Sequence, residues 1–303
     1  MSDEIPAIVL VDAYAQIYRS FYAIRSLTNK RGEPTNALYG IARLLLQLDR
    51  SLASSHGAIL FDKGKSERRV AICPEYKAQR PPMPDELRAQ IAPIRDWMSA
   101  FGWPLLEQEG IEADDLIAAV TASREQLPVK ILTFDKDIAQ LTADPEVVLI
   151  SSGAKDEWTV MGQAEITAKY GVGPEQLGDF LALVGDASDN IRGVEGIGPK
   201  TAAKLLQESG GLDAFFADPI TVSNERLREK VLEARELLKR NRELVRLDAT
   251  LPENWRGLDT VRRNPPDWAR LLSLAEEQGF ASLIKVIQPK VAGQGGPQQL
   301  TLF

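Results

Sequence analysis

The chain has 303 residues, 44% hydrophobic and 26% charged, which suits one large or two ordinary packed domains and excludes global disorder. No apolar run nears the ~18 residues of a membrane span, MSDEIPAIVLVD lacks the basic start of a signal peptide, and a single cysteine (Cys73) and a single histidine (His56) exclude internal disulfides, thiolate zinc clusters and His-rich metal sites. The net charge of −7 argues against nucleic acid only if the acids are spread evenly; setting aside nine clustered ones, named below, leaves the rest at +2.

In chain order, IVLVDA (8–13), AILFD (58–62), KILTFD (130–135) and VVLI (147–150) read as buried strands. Residues 35–52 carry Leu38, Ile41, Ala42, Leu45, Leu48 and Leu52 at helical spacing, and 85–101 and 113–124 show similar patterns. The alternation predicts an α/β fold with a twisted, mostly parallel sheet and helices on both faces. His56, within SSHGA, reads as a loop residue before a strand rather than a triad base. From about 162 helices dominate, broken by Gly- and Pro-rich turns at 171–174 and 193–199, and 223–247 reads as one long helix with a solvated charged face. VAGQGGPQQLTLF reads as a linker up to its last five residues.

Three of the strands end in aspartate: Asp12, Asp62 and Asp135, with Asp137 close behind. In an open parallel sheet ligands bind beyond the carboxyl ends of the strands, so these acids are expected to converge. IEADDLIAAV adds Glu112, Asp114 and Asp115 at a helix start, where the dipole and capping account for one or two of them. GDASDN adds Asp186 and Asp189 at i, i+3, which reads as a capped turn or as two more acids of the same site. So many converging carboxylates repel one another unless cations are present. An all-oxygen set suits two Mg²⁺ or Mn²⁺ ions, which at about 3.5–4 Å separation clamp a phosphodiester for hydrolysis.

Residues 63–80 hold six Lys/Arg against two Glu, with Tyr76 beside Lys77. They read as a solvated basic loop or as a contact for a phosphate backbone and a stacked base. GVEGIGPKTAAKLL (193–206) nearly spells a P-loop, but Pro199 separates Gly198 from Lys200 and a helix precedes it. A hairpin presenting N–H groups to phosphates at a helix start fits better, with Lys200 and Lys204 on one face.

LVDA, FDK, EYKAQRPPMP, EADD, TFDKD, GDASDN and GVEGIGPKTA, in that order, resemble the 5′-nuclease family, which includes the 5′→3′ exonuclease domain of bacterial DNA polymerase I and flap endonucleases. The resemblance covers residues 5 to about 285. It implies a PIN-like catalytic domain over 1–160 with a helical arch at about 63–85. A helical DNA-binding region over 161–287 follows, with a helix-two-turn-helix at about 179–206, and then a tail over 288–303. It implies a first metal site from Asp12, Asp62, Glu112 and Asp114, and a second from Asp114 or Asp115 with Asp135, Asp137 and Asp186, assisted by Asp189. Arg69, Lys77 and Arg80 match arch positions that steer the scissile phosphate, Lys77 stabilising charge, and Tyr76 matches a stacking residue. Arg68 doubles Arg69, so that assignment is open by one position. The hairpin (Gly196, Gly198, Lys200, Thr201, Lys204) matches a K⁺-assisted duplex clamp; Arg192 stands where many relatives carry proline. QLTLF resembles the bacterial sliding-clamp-binding motif through Gln299, Leu300, Leu302 and Phe303, the alternative being an ordinary frayed tail.

The implied protein is a stand-alone, monomeric, nucleoid-associated bacterial enzyme. It would act on DNA with 5′ flaps, nicks or single-stranded 5′ ends, and on RNA–DNA hybrids at primer ends. A PIN-type ribonuclease shares the layout of acids but not the basic segment or residues 160–285. A non-catalytic DNA-structure-binding scaffold would use the hairpin and tail alone.

Overall fold

The computed structural model describes residues 7–52, 54–153 and 157–294. β1 (Ile8–Asp12) is buried along its whole length, as a continuous apolar run at the centre of a parallel sheet must be. It pairs in parallel with β2 (Gly57–Leu60) on one side and β4 (Val129–Leu132) on the other. The sheet order is β3-β2-β1-β4-β5-β6, with β3 at Leu105–Leu106, β5 at Val147–Ser152 and β6 at Trp158–Met161; only β6 runs antiparallel. The chain leaves β1 toward β2 and returns to its other side at β4, which opens a crevice at the carboxyl ends of these three strands. β3 and β6 escape the sequence pattern because one is two residues long and the other is a partly exposed edge.

Side chains alternate across β1. Ile8 and Leu10 join a core with α5 (Ala113–Ala122) that continues into the helical region, while Val9 and Val11 face α1 (Ala13–Ala23), α2 (Asn36–Ser51) and α4 (Asp85–Ala100). Between β2 and α4, residues 63–84 hold one short helix, α3 (Glu67–Ile72), and turns.

The helical region contains α6 (Gln163–Tyr170) and α7 (Leu177–Val184), then a hairpin of β7 (Gly185–Asp186) and β8 (Ile191–Arg192). α8 (Pro199–Ser209), α9 (Leu212–Ala217), α10 (Glu225–Glu233) and α11 (Arg235–Val245) follow. The hairpin needs Gly185, at φ +79°, and Gly193: a Cβ on the first would lie 2.3 Å from the Gly193 nitrogen, and one on the second 2.2 Å from the Val184 carbonyl. The helix expected over 223–247 is two helices meeting at Ala234. That break lets α11 lie along α7, where fully buried Asn241 donates to the carbonyls of Ala182 (3.0 Å) and Arg192 (2.8 Å).

The last two helices, α12 (Trp268–Gln278) and α13 (Ala281–Gln294), return to the sheet face of Val9 and Val11, burying Leu271, Leu283 and Ile287 there. They therefore pack with the α/β layer and not with the helical region, and helix continues past the expected tail boundary at 288. No helix among the described residues is long and apolar enough to cross a membrane.

Candidate active site

Four aspartates from separate elements line one cavity of about 460 Å³ in the crevice: Asp12, Asp62, Asp114 and Asp135. Each is held by local backbone chemistry. Asp12 ends β1 and caps α1 by accepting from the Ala15 N–H (3.1 Å), while its other oxygen accepts from the Thr133 hydroxyl at 2.8 Å. Asp62, just past β2, accepts from the Ala113 N–H at 2.7 Å, at the start of α5. Asp114 sits in the first turn of α5. Asp135 follows β4 and accepts from the Asp137 N–H at 2.8 Å. A larger cavity, about 970 Å³, lies among α7, α9 and α11, where Arg242 pairs with Asp179 and Asp213.

Burial, and then the charge of Asp62, pushes the Asp12 carboxyl up to about 7. Burial also raises Asp62, and raises Asp114 well above the usual carboxylate range with help from Asp135, Asp12 and Asp62. Asp135 is raised as well, by burial first and by Asp189 and Asp186 beyond it. These groups are driven toward the neutral form unless positive charge joins them.

A second group lies beside the first, where one carboxylate oxygen from each of Asp137, Asp186 and Asp189 falls within 4.8 Å of the others. Asp137 Oδ1 is buried with no hydrogen-bond donor, and burial with Asp135 raises its carboxyl well above the ordinary value. Burial opposes the charge of Asp186, but the Ser188 hydroxyl (2.7 Å) and the Lys136 ammonium (3.1 Å) hold its carboxyl below the usual range. An all-oxygen donor set with an orphaned buried oxygen fits hard divalent cations.

The basic segment folds onto these acids. Lys77 Nζ lies 2.5 Å from Glu112 Oε1 and 3.5 Å from Asp189, and Arg80 reaches Asp189 at 2.6 Å. Both cations also line the aspartate cavity. Burial opposes the charge of Glu112, but Lys77 and Arg69 outweigh it and keep the carboxyl below its usual value. Other expectations change. Tyr76 is only 3% exposed, its hydroxyl donating to Asp189 (2.9 Å) and Glu112 (3.2 Å), so its ring offers no open face to a base. Arg69 is buried against Glu112 and Asp115. Arg68 donates to the Glu243 (2.6 Å) and Arg246 (2.7 Å) carbonyls at the end of α11. Asp115 faces Arg69 and not the cavity, because consecutive helix residues point about 100° apart and Asp114 takes the cavity side.

The 193–198 segment expected as a hairpin is instead the turn between β8 and α8; there Gly196 has φ +73°, Gly198 precedes α8, and Pro199 takes the first helical position, where its missing N–H costs nothing. Lys200 and Lys204 are exposed, Lys204 3.6 Å from Glu208, and Thr201 is half-buried. The ammonium of Lys230 donates to the Glu195 carbonyl in this turn at 2.8 Å. Gln299, Leu300, Leu302 and Phe303 lie outside the described residues. His56 precedes β2 at the end opposite Asp62, hydrogen-bonded to Ser55.

Sequence reasoning missed Tyr14, Tyr18 and Phe134 on the cavity wall, and Lys136 on Asp186. The tyrosines, at i and i+4 after Asp12, carried a signal, since Asp12 caps the helix they stand on.

Acids pushed toward the neutral form unless positive charge joins them, with lysine and arginine on the same wall, suit divalent cations and an anionic substrate. The 5′-3′ exonuclease N-terminal resolvase-like domain matches residues 7–171 and the 5′-3′ exonuclease C-terminal SAM fold matches 172–269, so the chain belongs to the 5′-3′ exonuclease family. It is 35% identical over 293 residues to the 5′-3′ exonuclease of Aquifex aeolicus, covering 96% of this chain and 98% of that one. It is 38% identical over 281 residues to the thermostable DNA polymerase I of Thermus thermophilus, covering 91% of this chain but 32% of the polymerase, so it spans about a third of that relative's length. Among solved structures, the T5 D15 flap endonuclease in a pseudo-enzyme-product complex with DNA and metal ions superposes with TM-score 0.63 at 25% identity, over 80% of this chain and 89% of that one.

Proposed function

We propose that the protein hydrolyses phosphodiesters at DNA 5′ ends as a structure-specific 5′→3′ exonuclease and flap endonuclease, using two divalent ions, Mg²⁺ or Mn²⁺. The observation that carries this reading is the convergence of Asp12, Asp62, Asp114 and Asp135 on one cavity walled by Lys77 and Arg80. These four, with Glu112, would hold one ion or share both; Asp137, Asp186 and Asp189 would complete the set. Bound ions supply neutralising charge and lower the pKa of a coordinated water.

The chain's own groups do the rest. Thr133 and the Ala113 N–H orient Asp12 and Asp62. Lys77 and Arg80 bind the phosphate, Lys77 stabilising the charge that develops on it. The start of α8, with Lys200, Lys204 and the N–H groups at its end, grips duplex backbone. K⁺ at the carbonyls of the 193–198 turn belongs to the same reading, in competition with the Lys230 ammonium already on Glu195. Flaps, nicks, single-stranded 5′ ends and RNA–DNA hybrids are the proposed substrates of a monomer acting at the nucleoid in the cytoplasm. The QLTLF segment would dock on a sliding clamp and raise local concentration there.

A 5′-labelled flap and a nicked duplex, incubated with Mg²⁺ or with EDTA, test the reading. Mg²⁺-dependent cleavage that disappears with Asp62→Ala is expected; cleavage retained in that variant overturns the assignment. Faster cutting of single-stranded RNA than of flap DNA would favour a PIN-type ribonuclease, and binding without cleavage a scaffold.

A further inference from the structure

We infer that Arg69 is a positioning residue: paired with Asp115, it fixes Glu112 and ties it to the end of α11, and it makes no contact with substrate phosphate. The inference rests on the reading of Glu112 as a metal-holding acid.

Arg69 is 3% exposed. A guanidinium has five N–H donors and no acceptor, and here all five are engaged. Nε donates to the Leu244 carbonyl at 2.9 Å; Nη1 donates to Glu112 Oε2 at 2.6 Å and Asp115 Oδ2 at 2.5 Å; Nη2 donates to Asp115 Oδ1 at 2.8 Å and the Arg246 carbonyl at 3.2 Å. No donor remains for a phosphate. The carbonyls at the end of α11 have no intrahelical partners and carry the negative end of the dipole, so a cation there satisfies both; Arg68 adds a second one at Glu243 and Arg246.

Asp115 is 4% exposed and is consumed in the same way, one oxygen by Arg69 and the other by Arg69 and the Asp248 N–H at 2.9 Å. Its carboxylate is the counter-charge that allows Arg69 to be buried. Glu112 is thereby held through one oxygen, while Oε1 stays on the side of Lys77, which lines the cavity. The outcome is a rigid link from the helical region to an acid of the site, with the planar fork as its joint. Lysine has the charge but not the fork.

The test measures Mn²⁺ binding to the DNA-free full-length protein by titration calorimetry, alongside flap binding in EDTA and turnover. Arg69→Lys should weaken Mn²⁺ by about 10–100-fold, the usual effect of removing a group that orients a metal-holding side chain, leave flap binding in EDTA unchanged, and recover turnover at saturating Mn²⁺. Unchanged Mn²⁺ affinity with weakened flap binding would overturn the inference in favour of a phosphate contact. Asp115→Asn, which keeps the shape and an acceptor, decides the matter if Arg69→Lys does not fold: it should weaken Mn²⁺ clearly less than Asp114→Asn does, and an equal loss would make Asp115 a metal-holding acid and overturn the inference. Absence of Mn²⁺ binding by the unaltered protein would instead sink the reading of the site itself.

Discussion

Lys77 and Glu112 form a largely buried ion pair of 2.5 Å, their side chains 15% and 6% exposed, at the boundary between the two groups of acids. The residue placed to meet the scissile phosphate therefore neutralises two acids of the site, Glu112 and, at 3.5 Å, Asp189. One cation serves both anions at once, so divalent ions compete with it for the acids and a substrate phosphate competes with the acids for it.

Lys77→Ala accordingly has opposite effects on two measurements. Single-turnover cleavage should fall by about 10²-fold or more, as when a donor to developing negative charge is removed. Mn²⁺ affinity of the DNA-free protein should rise, because Glu112 and Asp189 lose a built-in counter-ion. A fall in both would show that Lys77 only supports the site.

The raised carboxyls give the metal-free protein an unusual pH dependence. Asp12 titrates near 7 when folded, against 3.8 as the ordinary value, so the folded state binds more protons through that window. Stability from this group is complete below about pH 4 and is lost as pH rises toward 7; Asp62, Asp114, Asp135 and Asp137 push the same way. Thermal melting in EDTA should move to lower temperature as pH rises from about 4 to about 7, with Mg²⁺ flattening the trend. Melting that rises with pH in EDTA would contradict the burial of these acids.

Lys200 is exposed at the start of α8 and unconnected with the acids. Lys200→Ala should weaken duplex binding and flatten its log–log salt dependence by ~1, with Mn²⁺ affinity unaltered. An unchanged slope would remove the start of α8 from the duplex contact.

Asn241 is the buried tie between α11, α7 and the hairpin. Asn241→Leu strands the Ala182 and Arg192 carbonyls without a donor, at a cost of about 2–4 kcal/mol in urea unfolding. A cost under ~1 kcal/mol would mean that the helices are held by apolar packing alone.

Much of this was legible in the chain itself, for a physical reason. A buried parallel strand is a continuous apolar run, and ligands gather beyond its carboxyl end, so IVLVD, AILFD and KILTFD announced both the sheet and the place of Asp12, Asp62 and Asp135. The β3 and β6 edges, the break at Ala234 and the return of α12 and α13 to the sheet were not legible, since each depends on what packs against it. The acids were countable in the sequence, but their directions were not. Asp114 and Asp115 are adjacent and chemically alike; the turn of α5 sends one into the cavity and the other to Arg69. Likewise a basic segment read as phosphate-binding divides into Lys77 and Arg80 on the cavity wall and Arg68 and Arg69 on the end of α11, 175 residues away in sequence. Local composition determines which charges a chain carries, but only tertiary packing decides which of them are consumed inside the fold, because a buried charge must be matched where it lies.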